Sequence, residues 1–400
     1  DNMTENIYKT IPTNLDMVKL PDLTKTVKLE NINQVNKDLN LGFDSEDIEY
    51  YTSYFRNIDR EPTDVELFDL AQSNSEHSRH WIFNGKLAID GSYINETLFQ
   101  MVKKPLKKNK NNSLIAFSDN SSAIQGFTTT IQEPLFKNKP SNYCLSPQDI
   151  HFTLTAETHN FPTGVSPFQG AETGIGGRIR DNIAIGKGGN IIAGTAGYCV
   201  GKIDFKNKNR AFIIENDASN GASDYGNKIG EPIILGFTRS FKQIIDNNLY
   251  EWQKPIMFTA GLGTVLNKNL NKENPKENMI ITRIGGPAYR IGLGGGSSSS
   301  KSANEEINAS DLSAVQRGDA EMENKVVRVI RSLSTCGKNI IKSIHDQGAG
   351  GMANVTKEIV SPLGGTVYLE KVDLGDKSLS SLEIWGAEYQ EQVTILIEEE

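Results

Sequence analysis

Apolar positions fall at helical spacing in three stretches of the chain and alternate in several others. Across residues 45–60, Ile48, Tyr51, Phe55 and Ile58 lie three and four apart, which predicts an amphipathic helix with Ser45 as its N-cap. A second helix is expected from Pro62 and Thr63, where proline suits the first turn; Val65, Leu67, Phe68, Leu70 and Ala71 form its apolar face. The clearest helix spans 314–336, with Met322, Val326, Val329, Ile330 and Leu333 on one side, Gln316 at its start and Gly337 at its C-terminal end. Alternation predicts strands near 114–117, 152–157, 191–203, 211–214 and 279–284, and Ile340, Ile341 and Ile344 predict another. The basic run 103–112 and the polar runs 118–126 and 218–226 read as loops, and the Asn-, Lys- and Glu-rich stretch 267–278 reads as a boundary. Residues 1–40 show no periodicity and are expected to be the tail of an upstream domain and a connector. The order of elements predicts an α/β fold: a helical linker at 41–110, then two consecutive α/β domains with mixed sheets at 111–270 and 271–400.

The densest chemistry lies in TLTAETHNFPTGVSPFQGAETGIGGRIRD, residues 153–181. Phe152, Leu154 and Ala156 alternate with Thr153, Thr155 and Glu157, and the strand then meets Glu157-Thr158-His159-Asn160, four polar groups in a row. Pro162 and Pro167 predict a loop at this strand end. Gly170, Gly174, Gly176 and Gly177 would let backbone N–H groups approach an anion, Arg180 offers a phosphate-pairing fork, and Asp181 a metal ligand. A glycine-rich turn beside a strand explains the glycines equally well; the combination of groups between positions 157 and 181 favours a nucleotide or phosphate site. No G-x-x-x-x-G-K-[ST] occurs, and G-I-G-G-R-I departs from the dinucleotide fingerprint at its last position. A later strand delivers His345-Asp346 into a glycine turn by the same logic. Glu157, Asp181 and Asp346 are therefore expected to line one cleft, bordered by His159 and Arg180. Carboxylates so gathered would repel unless a cation such as Mg²⁺ or raised pKa values offset the repulsion. On the helix ending at SNSEHSRH, His77 and His80 would share a face; a solvated helix end is the alternative, and zinc would need two further ligands.

Bulk properties narrow the classes. A chain of 400 residues has room for two or three domains. A net charge of −8 argues against nucleic acid as a partner. Cys144, Cys199 and Cys336 stand in no metal or redox spacing, as expected for free thiols in a reducing compartment, the cytoplasm. No apolar run reaches the roughly 18 residues of a membrane span, so no membrane association is expected. The chain starts at Asp1 and ends in three glutamates after a strand, which suggests a piece of a longer protein, cut within its last domain.

ETHNFPTG with GAETGIGGRIRD, AQSNSEHSRHWIFNG, GGPAYRIGLGGGSSSS, HDQGAGG and SLEIWGAEYQE together resemble the formylglycinamide ribonucleotide amidotransferases, the phosphoribosylformylglycinamidine synthases of purine synthesis, in their eukaryotic-type long-chain form. The short-chain bacterial form has lysine where Thr155 stands and histidine where Phe161 stands. The resemblance implies the first half of a two-half, aminoimidazole-ribonucleotide-synthetase-like core. It implies a ligase that phosphorylates the amide oxygen of formylglycinamide ribonucleotide with ATP and Mg²⁺ and lets ammonia displace the phosphate. It implies His77 and His159 as catalytic residues and Thr158, Asn160, Arg180, Gln316, Glu388, Tyr389 and Gln390 as substrate contacts. His80, Gly170, Thr173, Gly174, Gly176 and Gly177 would bind ATP, and Glu157, Asp181 and Asp346 the metal. No cysteine has the surroundings of a glutaminase nucleophile, so ammonia would come from a glutaminase domain outside this chain, and the second half of the core would be a further partner. Another ATP-dependent enzyme of the same superfamily should lack the SNSEHSRH motif; a non-catalytic nucleotide-binding half should lack the histidines.

Overall fold

The computed structural model of the chain describes residues 24–75, 80–108, 112–136, 139–300, 309–335, 337–389 and 391–399. A short helix, Ile32–Asp38, comes first, within the stretch 1–40 expected to be a tail and connector, and two linker helices follow it, α1 (Ser45–Asn57) and α2 (Asp64–Ser73). Asp44, one residue before the expected cap, closes α1: its carboxylate accepts from the Glu46 and Asp47 N–H groups at 2.8 and 2.9 Å while Asp47 accepts from the Asp44 N–H. Thr63 and Glu66 form the same box on α2. Phe55, Leu67, Phe68 and Ala71 pack with Val27, Ile32, Leu41 and the distant Leu382, so the linker is fastened to the last third of the chain.

Among the described residues two sheets of three or more strands stand beyond it, built on the strands expected near 114–117, 152–157, 191–203, 279–284 and 340–344 together with others that the alternation does not mark, one of which begins within the expected loop 118–126. The larger contains β1 (Ser113–Ile115), β2 (Ser122–Pro134), β3 (Tyr143–Thr158), β4 (Asn190–Val200), β5 (Ile233–Ser240) and β6 (Ile256–Leu266), in the order β1-β2-β3-β6-β4-β5. All neighbours are antiparallel except β4 and β5, and that parallel pair needs a crossover. Helices α3 (Pro167–Ile183) and α4 (Arg210–Ile229, the crossover) cover one face; Ala171, Ile175 and Ile179 meet Ala218, Ala222, Tyr225, Tyr198 and Met257 there. The smaller sheet joins β7 (Ile280–Gly285), β8 (Ser343–Asp346) and β9 (Gln392–Ile397) in the order β7-β9-β8. Helix α5 (Ala320–Thr335) bridges the two, its Val326 and Ile330 packing between Ile183 at the end of α3 and Ile344, Val393 and Ile395 of the smaller sheet. Helix α6 (Gly351–Val360) follows β8.

The structure corrects the loop expected after Asn160. A short helix, Asn160–Val165, and the long α3 occupy it, because Pro162 and Pro167 both sit in first turns, where a proline removes no helical hydrogen bond. Four glycines therefore belong to a helix, and three are buried contact points. A Cβ on Gly170 would lie 2.3 Å from the Pro162 carbonyl carbon, and one on Gly176 2.8 Å from Tyr225 Oη. A Cβ on Gly174 would stand 3.0 Å from both His159 and Met257 side chains. Residues 211–214 and 218–226, read as strand and loop, are both within α4. Lys103–Lys108 of the expected basic loop is the end of the helix Leu98–Lys108, and the helix expected from 314 begins at Ala320.

Alanine favours a helix over glycine by about 1 kcal/mol. Gly170→Ala should nevertheless destabilise the protein, by about 1–3 kcal/mol, because its methyl group has only backbone to displace. Equilibrium urea unfolding measures this; a neutral or stabilising substitution would contradict the packing role.

Candidate functional site

The period of two along β3 sets up the site. Thr153, Thr155 and Glu157 point to the helix-covered face, and Thr153 and Thr155 are buried there, while Leu154 and Ala156 point away and are exposed. Thr153 Oγ1 donates to Asn182 Oδ1 at 2.9 Å and Thr155 Oγ1 to Asp181 Oδ2 at 3.4 Å, fixing α3 against the strand. Glu157, next on that face, reaches the same hollow. Asp346, at the end of β8, enters it from the other sheet and accepts from Asn120 Nδ2 at 2.6 Å. The three carboxylates act on one another. Burial, then Asp346 and Glu157, push the Asp181 carboxyl well above the usual range. Burial and Asp346 raise Glu157, which keeps an exposed edge. Burial raises Asp346 against the opposing pull of Arg180, Lys272 and Asn120. Among the described residues no three His, Cys, Asp or Glu side chains close into a ready cage for one ion.

A second focus joins residues far apart in sequence. Gln316 Nε2 donates to Glu388 Oε2 at 2.7 Å, and the Gly350 N–H donates to Glu388 Oε1 at 2.9 Å. The glycine-rich segment wraps this carboxylate: a Cβ on Gly292, which has φ +70°, would meet Glu388 Cβ at 2.7 Å. Burial raises Glu388 to about 7 against both hydrogen bonds. Tyr389 is buried beneath the Arg283 guanidinium, 5.6 Å from its ring centroid. Helix α2 reaches the far side of the glycine–serine segment, where Gln72 Nε2 donates to Ser297 Oγ at 3.2 Å and Ser75 Oγ to the Gly296 carbonyl at 2.6 Å.

Several sequence expectations change. Arg180, expected at a ligand's phosphate, is buried; its Nη1 lies 3.1 Å from Glu323 and 3.8 Å from Glu391, and Tyr225 Oη lies within hydrogen-bond distance of both carboxyls. Arg180 and Tyr225 come from helices on the larger sheet and Glu323 and Glu391 from the other side of the junction, so the guanidinium clasps the two units together. Gly170, Gly174, Gly176 and Gly177 offer no anion cradle, since their N–H groups lie within α3. Thr173 Oγ1 donates to the Gln169 carbonyl at 3.0 Å and lies 3.1 Å from His159 Nε2, so it orients the imidazole. Burial, then Arg180, lowers His159 to about 4, leaving it neutral near pH 7. Asn160 Oδ1 accepts from the Met257 N–H at 3.0 Å, and Thr158 is exposed at the strand end. His80 is exposed at the start of the helix His80–Asn84 with its ring edge-on to Phe99. His77 and Gln390 lie outside the described residues. Sequence reasoning missed Glu323, Glu391, Tyr225 and Lys272; Lys272 sits in the stretch whose composition marks a boundary.

Residues 32–80 match the Formylglycinamide ribonucleotide amidotransferase linker domain and residues 276–400 the AIR synthase related protein, C-terminal domain. The whole chain is 49% identical to phosphoribosylformylglycinamidine synthase of Dictyostelium discoideum, of which it covers 31%. Over 92% of its length it is 46% identical to the Homo sapiens protein of that name, covering 29% of it. Among solved structures, T. maritima PurL complexed with FGAR matches 88% of this chain with a TM-score of 0.61, 22% identity and 48% coverage of that chain. The same protein complexed with ATP matches 88% with a TM-score of 0.55, 21% identity and 46% coverage. At these identities the structural likeness speaks for the fold, and the mixed α/β architecture expected from the sequence is shared. The resemblance carried by the sequence motifs is borne out along the whole chain, which spans about a third of the length of the curated relatives it matches.

The raised carboxyls have a consequence for stability. Burial holds Glu172 and Glu388 at about 7, against the ordinary 4.5. The fold therefore binds more protons than the unfolded chain between those values. Their stabilising effect is complete below the unfolded pKa and is lost as pH rises through the folded one. Urea unfolding from about pH 5 to pH 8 should show declining stability over that window. Glu388→Gln, whose new amide Gln316 can meet by flipping its own, should flatten the decline. A profile that rises across this window, or an unaltered slope in the variant, would contradict the assignment.

Proposed function

We propose that this chain, as part of a longer phosphoribosylformylglycinamidine synthase, supplies half of an ATP-dependent synthetase core that converts formylglycinamide ribonucleotide to formylglycinamidine ribonucleotide. One observation carries the reading: strand β3, helix α3 and strand β8 bring Glu157, Asp181 and Asp346 into one hollow, where burial raises all three carboxyls and repulsion from the neighbouring acids raises Glu157 and Asp181 further. Such a set of oxygens is costly without a cation. The donors suit Mg²⁺, which takes one or two carboxylates and keeps water on its other positions. Glu157, Asp181 and Asp346 would hold it, and when bound it neutralises charge on the phosphates of ATP.

The reaction transfers the γ-phosphoryl group of ATP to the amide oxygen, releasing ADP. Ammonia then forms the new C–N bond as phosphate leaves with that oxygen. Such chemistry asks mainly for position and charge balance. His159, kept neutral near pH 7 by burial, is retained as a catalytic group on the strength of the ETHNFPTG motif. Gln316 and Glu388, with the Gly350 amide, form the wall on which we place the substrate's polar groups, with Tyr389 beside them; Gln390 is retained as a substrate contact on the strength of the SLEIWGAEYQE motif alone. Arg180 acts behind this wall by holding the junction closed. We retain His77 as a catalytic group and His80 as a nucleotide contact on the strength of the SNSEHSRH motif; the linker match over 32–80 favours this family over other synthetases with a similar core.

We further propose two α/β domains, 111–270 and 271–400, behind a linker at 41–110. The missing half of the core would cover the outer face of the larger sheet. There Ile124, Phe127, Leu154, Leu235, Phe237 and Leu262 are exposed together, Phe127 at 61% and Leu235 at 69%. Ammonia would reach the site from a glutaminase domain elsewhere in the longer protein. No helix among the described residues is long and apolar enough to cross a membrane, and the free thiols of Cys144 and Cys199 suit the cytoplasm.

In the complete enzyme supplied with ammonium salt, Asp346→Asn should lower ATP-dependent amidine formation by about 10²-fold or more. Its fold should be retained by circular dichroism. A variant with near-normal turnover would remove the carboxylate hollow from the mechanism.

A further inference from the structure

Lys272 lies between β6 and β7, beside the carboxylate hollow, and nothing in its surrounding sequence marks it for function. Its Nζ stands 2.6 Å from Asp119 Oδ1, donates to Asn120 Oδ1 at 3.1 Å and lies 3.3 Å from His345 Nε2. An ammonium group has three donors and no acceptor. All three are therefore engaged, and none is left for a phosphate. The count also fixes the imidazole: Nε2 of His345 accepts, so its proton sits on Nδ1, facing Glu358 Oε2 at 3.7 Å.

The same count orients Asn120. Its carbonyl oxygen receives Lys272, so its amide nitrogen faces Asp346 and donates to Oδ1 at 2.6 Å. A flipped amide would set oxygen against carboxylate and N–H against ammonium, repulsive at both ends. Asp119 completes the frame, since its second oxygen accepts from the Gly186 N–H at 3.0 Å in the turn after α3. One lysine thus ties the loop before β2, the end of α3 and the end of β8; beside the direct pull of its charge on Asp346, it reaches that carboxylate through one amide, which fixes its orientation.

We infer that Lys272 is a positioning residue: through Asn120 it sets the orientation of the Asp346 carboxylate for a divalent cation. This rests on the proposed synthetase reading. A flexible carboxylate must be ordered when the cation binds, whereas one already held by a donor of fixed sense has less to lose.

The test uses the complete enzyme and the variants Lys272→Met, Asn120→Leu, their combination and Lys272→Arg. Binding of Mn²⁺ alone is followed by electron paramagnetic resonance, alongside the Mg²⁺ dependence of ammonium-supported turnover and the substrate KM. Each single variant should weaken Mn²⁺ binding, and raise the Mg²⁺ needed for half-maximal rate, by about ten-fold or more. The substrate KM should stay near its original value. The double variant should be no worse than the weaker single variant, because both changes break one chain, and Lys272→Arg should restore part of the loss. If Lys272→Met does not fold, Asn120→Leu carries the test, since it leaves the Lys272–Asp119 pair in place. Additive losses in the double variant, or unchanged Mn²⁺ affinity in both single variants, would overturn the positioning role. Original enzyme that binds no Mn²⁺ would instead overturn the metal reading, and this role with it.

Discussion

The close seating of helix α3 is the constraint from which the rest of the structure follows. At Gly170 and Gly176 the neighbouring backbone and tyrosine stand where a side chain would begin, so the helix lies nearer to the preceding turn and to α4 than a Cβ would permit. This depth brings the C-terminal half of α3 to the junction of the two sheets. Ile183 packs against α5 and the smaller sheet, Arg180 reaches Glu323 and Glu391, and Asp181 is left on the side that faces β3. Consecutive residues on a helix point about 100° apart. Arg180 and Asp181 can therefore serve different purposes, the first closing the junction and the second lining the hollow.

Charge balance around the junction explains why the clasp and the hollow belong together. Two buried carboxylates face one guanidinium at Glu323, Glu391 and Arg180, and burial raises both carboxyls. The hollow beyond holds three more acids with Lys272 as the nearby cation. Arg180 lowers Asp181, Asp346 and Glu388, so one buried cation moderates both groups. Removing a partner from such a cluster leaves a buried charge unpaired, at a cost of about 3–5 kcal/mol. The arrangement is thus a poor place for neutral drift and a suitable place for a bound cation.

What the sequence disclosed depended on how local the cause was. Helices α1 and α2 are legible because a capping residue and an apolar stripe act over a few positions. The carboxylates at 157 and 346 are legible as strand-end acids, whereas Asp181, expected after a glycine turn, lies in α3; all three act on one hollow. The segment 160–183 was open to misreading because proline and glycine punctuate loops on average, yet here they serve a first turn and a tight helix contact. The glycines and serines of 219–226 concealed α4 in the same way. The pairing of Gln316 with Glu388, and of Lys272 with Asn120, has no local cause; 72 positions separate the first pair and 152 the second, and only the folded chain brings them together.

Strand β3 carries the plainest support for the proposed contact with a second half of the core. An alternating strand ordinarily turns its apolar set inward. In β3 the inward set is Thr153 and Thr155, hydrogen-bonded to Asn182 and Asp181, and the outward set includes Leu154. Threonines serve on the inner face because α3 presents polar groups there, as the hollow requires. The outward leucine gains nothing by exposure, and its neighbours across the sheet, Ile124 on β2 and Leu262 on β6, repeat the choice. A sheet with a polar-lined site on one face and an apolar surface on the other suits the proposed covering of that second face. In a core of two similar halves the covering surface would carry the same pattern, so the requirement that shapes β3 would hold for both sides of the contact.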